Sequence, residues 1–122
     1  MSDYQTKTRT TARAVSGIVA TARVGAQAWH DGKLMKAYAD TMVSHAEDDV
    51  GSIINTYDSR QPPTEAAIAL KDKIDKPLQA VSTSLTDLRI ALRRNDRQGV
   101  AQAIKDLATP LKTLKGMEQV GL

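Results

Sequence analysis

Between residues 74 and 92 the large apolar side chains are Ile74, Leu78, Val81, Leu85, Leu88 and Leu92, separated by steps of 4, 3, 4, 3 and 4. At about 100° per residue those steps hold all six on one narrow stripe of a helix, whereas a strand would scatter them over both faces. A stripe repeating every seven residues is buried only when other helices cover it. This segment sets the expected fold class as all-α, with the rest of the chain placed to keep that seam dry.

Three further series supply the covering faces. Val100, Ile104, Leu107, Leu111 and Leu114 repeat the steps toward the C-terminus, and Ala39, Val43, Ala46, Val50, Ile53 and Tyr57 repeat them with smaller side chains. The N-terminal series, Tyr4, Thr8, Thr11, Val15, Ile18, Ala22, Gly25 and Trp29, is polar at its first seam positions, and fraying is expected there. The breaks between the series have their own chemistry. Gly32 suits the left-handed residue that ends a helix, and Pro62-Pro63 stop the second helix, one of them being able to open the third. Asn95 is expected to cap the fourth helix, with Gln98 completing a capping box. The expected helices span about 3–29, 33–58, 63–94 and 96–117, within one domain covering 1–122. Short connections make neighbours antiparallel, giving an antiparallel up-down-up-down four-helix bundle. Pro77 and Pro110 each remove a backbone hydrogen bond and are expected to bend the third and fourth helices.

Composition narrows the chemistry. Leu, Ile and Val number 25 of 122 residues, whereas Ala, Gly, Ser and Thr number 43, so the core is lean and its helices can approach closely. The absence of cysteine excludes a disulfide scaffold, a thiolate zinc site, an iron–sulfur cluster and a cysteine nucleophile. Trp29 and three tyrosines are the only aromatics, too few to form stacking platforms for bases, so sequence-specific nucleic-acid binding is not expected despite the net charge of +3. No stretch reaches the roughly 20 apolar residues of a membrane span. A cytoplasmic location is the default expectation; a soluble fragment of an exported or membrane-anchored protein would carry the same pattern. Charge is shared unevenly. Lys33 and Lys36 against Asp31, Asp40, Glu47, Asp48, Asp49 and Asp58 leave the second helical segment at −4, while residues 60–94 sum to +3, which favours pairing of these neighbours.

Catalytic and cofactor patterns are sparse. A bundle di-metal site needs inward carboxylates on all four helices and two Glu-x-x-His motifs; the chain has three glutamates and no such motif. The alternative is a metal or haem held by Met35, Met42, His45 and Asp49 on the second helix. Methionines at heptad spacing more often fill cores, so no cofactor is expected. Ser44 and His45 are adjacent and project about 100° apart on a helix, which forbids a nucleophile–base pair. Gly-x-Ser-x-Gly, phosphate-loop and dinucleotide-binding patterns are all missing. The chain reads as a non-enzyme.

Topology offers one candidate site. In an antiparallel bundle the first and third connections share a pole, which would bring Trp29, His30 and Asp31 beside Arg93, Arg94 and Arg97. An aromatic among arginines suits a protein hot spot or a small anion, while arginines at a helix end also complement its dipole. Ile68 and Ile90 lie outside the third-helix seam, and Val24 outside the first, which makes self-association into a homodimer an expectation as well. The Trp29-x-x-Gly32 turn resembles the Trp-x-Gly hairpin of small secreted helical proteins, one residue longer and without that family's Tyr-x-x-x-Asp/Glu signal after the second helix. In architecture the chain is similar to the four-helix ligand-sensing modules of bacterial receptors. The resulting expectation is a non-enzymatic interaction or sensing module that binds a protein or small anionic partner, the alternatives being a metal- or haem-binding bundle and a scaffold bundle without ligand.

Overall fold

The computed structural model describes residues 3–119, and the elements among them are all helices. They are α1 (Asp3–His30), α2 (Lys36–Asp58), α3 (Glu65–Arg93), α4 (Arg97–Asp106) and α5 (Ala108–Gln119). The architecture is an all-α four-helix bundle in which α4 and α5 are the two halves of the fourth helix. Between Asp106 and Ala108 the helix is interrupted at Leu107, three residues before Pro110. Proline has no N–H to offer the carbonyl of residue 106, and its ring crowds that same carbonyl. The ladder resumes on either side: Leu107 N–H reaches Ala103 O at 3.1 Å and Leu111 N–H reaches Leu107 O at 3.0 Å. At Pro77, by contrast, α3 runs through without a break and the ring is buried.

All six residues of the α3 seam have no exposed surface, and the Val100–Leu114 series is buried with them. The other two series follow the expected stripe only part of the way. In α2 the inward residue is Ile54 rather than Ile53, and in α1 it is Val19 rather than Ile18. A straight helix turns once per 3.6 residues, so a strict seven-residue stripe drifts by about 20° per heptad. One extra step of four restores the inward direction. The sequence alone does not show where that step falls.

Helix ends differ from expectation at three places, each for a local reason. Asn95 terminates α3: it takes φ 54°, its N–H bonds Leu92 O, and Asp96 N–H bonds Ala91 O at 2.9 Å. The cap of α4 passes to Asp96, whose carboxylate accepts the Gly99 N–H at 2.9 Å. The third helix begins only at Glu65, where Thr64 Oγ1 accepts the Ala67 N–H at 3.1 Å, so neither proline opens it. The second begins at Lys36 behind Met35, which makes no side-chain cap.

The polar start of α1 is packed and hydrogen-bonded. Thr8 is fully buried, donates to Tyr4 O at 2.9 Å and lies 2.8 Å from the Tyr57 hydroxyl. The Tyr4 and Tyr57 rings meet at 5.6 Å between centroids. Burial, with a smaller contribution from Tyr4 and against the hydrogen bond with Thr8, pushes the Tyr57 phenol well above the usual tyrosine range. Across the bundle, the acidic α2 meets the basic α3. Arg89 Nε contacts Glu47 Oε1 at 2.7 Å, Arg93 Nε contacts Asp40 Oδ1 at 3.2 Å, and Lys71 Nζ contacts Asp58 Oδ1 at 3.3 Å. Partial burial pushes Glu47 toward its neutral form, but hydrogen bonds from Thr86 and Arg89 and the charges of Arg89 and Arg93 outweigh it, so its pKa lies below 4.5.

Two measurements check these contacts. Thr8→Val removes the Tyr57 partner and orphans a buried hydroxyl, at a cost of about 1–3 kcal/mol, whereas Tyr57→Phe leaves Thr8 bonded to the backbone and costs less; denaturant titration of both variants gives the order. The Glu47 contribution is fully present above pH 4.5 and is lost as the pH falls through the lowered folded-state value. The stability gap between wild type and Glu47→Gln is therefore widest near neutrality and closes in acid, a trend read from melts across the pH range.

Candidate functional site

Two neighbouring helix ends build the pole that carries the tryptophan. Gly32 at φ 75° ends α1, with Gly32 N–H on Trp29 O at 3.0 Å and Lys33 N–H on Ala28 O at 2.8 Å. These paired bonds satisfy the last carbonyls of α1 as the Asn95 turn does for α3. The first and third connections do share this end. The Arg97 guanidinium lies 5.9 Å from the Trp29 ring centroid and donates from Nη2 to His30 O at 2.7 Å. His30 Nδ1 sits 3.7 Å from Asp31 Oδ1. The structure thus gathers Trp29, His30, Asp31 and Arg97, and separates the other two arginines from them. Arg93 turns to α2, where it meets Asp40 and donates to Ser44 Oγ at 3.4 Å, and its carbonyl accepts Lys36 Nζ at 3.0 Å. Arg94 lines a groove between α3 and α4 with Asp87 and Asp96. What remains at the pole is one arginine laid over a half-buried indole and bonded to the end of α1, an arrangement that fastens α4 to α1.

The residues weighed as metal or haem ligands are also divided. Met35 precedes α2 and is 69% exposed. Met42, His45 and Asp49 line the outside of the bundle, in an open groove of about 530 Å³ between α1 and α2, across from Arg13, Gly17 and Ile18. Among the described residues no three His, Asp or Glu side chains gather as a ligand set. Ser44 and His45 point apart, the first to Arg93 of α3 and the second into this groove. Ile68 and Ile90 are both exposed, but stand 22 residues apart on α3, about 33 Å along the helix axis. Exposed Lys76, Gln79 and Thr83 lie between them, so the two isoleucines do not form one patch.

The larger share of the exposed apolar side chains lies on α1 and α2. Of the five exposed large apolar residues, Val24, Met35 and Tyr38 belong to these two helices or their connection, at 69%, 69% and 61% exposure. Half-buried Ile18, Met42 and Ile53 line the grooves between the same two helices. Small residues open that groove. Gly17 has nothing within 4 Å of where a Cβ would stand, and Met42 packs its thioether directly on Gly25. Val24 was legible as outward from the seam; Tyr38 carries a subtler signal. It begins a second stripe, Tyr38, Met42, His45, Asp49, Ile53, Thr56, one residue ahead of the α2 seam for most of its length and displaced toward α1. Arg13 and Asp49 face this groove, and neither takes part in an ion pair or hydrogen bond among the described residues.

Comparison with protein-family models, with curated proteins and with solved structures finds no match to this chain. No helix among the described residues is long and apolar enough to cross a membrane.

The pole geometry has a direct consequence. Arg97→Ala removes a cation–π contact and a bond to a helix-terminal carbonyl, lowering stability by about 1 kcal/mol. Arg94→Ala, at an exposed site away from the indole, stays within about 0.5 kcal/mol of wild type. Chemical denaturation of the two variants side by side reads the contrast.

Proposed function

We propose that this protein is a non-catalytic interaction module whose docking surface is the outer face of α1 and α2. The observation that carries the reading is that three of the five exposed large apolar residues, Val24, Met35 and Tyr38, belong to α1, α2 or their connection, with Ile18, Met42 and Ile53 lining the grooves between these helices. Exposed apolar side chains concentrated in this way mark surfaces that meet partners. Small residues line the groove, with Lys7, Arg13, Asp49 and Arg60 set among its apolar groups, a mixture of apolar and charged side chains that protein interfaces use. The pole supports the reading indirectly. Arg93 and Arg97 are engaged within the chain, so the face of α1 and α2 is the stronger candidate for protein contact.

A double variant, Val24→Asp with Tyr38→Asp, tests the reading against Ile68→Asp with Ile90→Asp. All four positions are exposed, so both variants retain the wild-type melting temperature. Quantitative affinity capture from the producing cells is expected to recover a stoichiometric protein, this chain included, that the first variant loses and the second keeps. Capture that is equal for both variants, or that recovers nothing stoichiometric with wild type, overturns the reading.

A further inference from the structure

We infer that the occupant of the α1/α2 face is a second copy of the same chain, related by a two-fold axis running parallel to the helices. The inference rests on the docking face proposed above and adds its partner and its geometry.

Two faces of identical copies meet about a two-fold axis lying in the plane between them. Across the helices, such an axis sets α1 on α1 and α2 on α2. Along the helices, it sets α1 of one copy on α2 of the other at the same height. Charge separates the two arrangements. On this face α1 presents Lys7 and Arg13, its Asp3 being paired with Arg60 of the same chain, while within the groove α2 presents Asp49. The other acids of α2 are largely committed inside the chain, Asp40 to Arg93, Glu47 to Arg89 and Asp58 to Lys71. Arg60, beyond the end of α2, is matched by Asp3 at 3.4 Å. Arg13 and Asp49, by contrast, line one groove from opposite helices about one helical turn apart in height, and neither forms an ion pair among the described residues. An axis along the helices brings the long Arg13 side chain of each copy within reach of Asp49 of the other, twice per dimer. The crosswise axis opposes like charges.

The area is sufficient. With α1 at 28 residues and α2 at 23, the face measures about 35 Å by about 20 Å. That approaches the roughly 800 Å² per partner of a standard specific interface. Gly17 and Thr21 on α1, level with Asp49 and His45 of α2, leave room for the second copy to approach closely.

Light scattering coupled to size exclusion tests the inference on the full chain. Wild type is expected to run as a dimer at micromolar concentration, and Arg13→Asp and Asp49→Arg each as a monomer. An equimolar mixture of the two variants is expected to return to dimer, because each copy then offers the charge the other requires. A second measurement needs no charge reversal. The chain has no cysteine, so copies carrying Thr21→Cys and copies carrying His45→Cys, level with each other across the groove, are expected to form a mixed disulfide when combined, and no disulfide with themselves. Wild type that stays monomeric to about 100 μM, well beyond the micromolar range of modest interfaces, overturns the second copy as occupant. The docking face itself then stands or falls on the capture experiment. Dimers that survive both charge variants, or variants that fail to recombine, overturn the arrangement about an axis along the helices, as do Thr21→Cys copies that link to one another.

Discussion

The bundle depends on keeping the α3 seam dry. Six branched aliphatic side chains in line present more apolar surface than one helix can cover, and each buried leucine, isoleucine or valine contributes about 1.5–3 kcal/mol relative to exposure. Every other helix is placed by that demand. The jointed α4 and α5 cover the seam with leucines and isoleucine, while α1 and α2 cover it with valine, alanine and threonine. The second pair is thinner, and it reaches adequate packing by close approach, as where Met42 lies on Gly25.

Close approach also shapes the outside. Helices held together by small side chains have small side chains on their shoulders, and the valley between them is shallow and broad. Larger apolar groups at its margins, Val24 and Tyr38, then stand well clear of the surface. The feature that makes the core lean is thus the one that leaves apolar side chains standing out from the same two helices.

Fold and site were legible to different depths. The α3 and α4/α5 seams could be read residue by residue, because long aliphatic side chains leave one solution for the period. The α1 and α2 seams slipped by one residue at Ile18 and Ile53, because valine, isoleucine and alanine on adjacent positions fit either direction and only the neighbouring helix decides. Thr8 looked like a flaw in a seam until Tyr57 was placed beside it, a contact between residues 49 apart that no local pattern encodes. At the pole, the shared position of two connections followed from topology. The separation of Arg93 from Arg97 did not, since it depends on Asp40 and Ser44 reaching across from α2.

The scarcity of aromatics has a spectroscopic consequence. Trp29, the sole indole, lies beneath Arg97 where α1 meets α4. Tyr4 and Tyr57 lie together at the far end of the bundle, and Tyr38 stands on the outer wall. Tryptophan emission from this protein accordingly comes from one end of the molecule. Tyrosine absorption comes mainly from the pair at the other end, with Tyr38 near the start of α2 adding a share from the tryptophan end. An unfolding transition that reaches the indole and the Tyr4–Tyr57 pair at different conditions would show which end opens first.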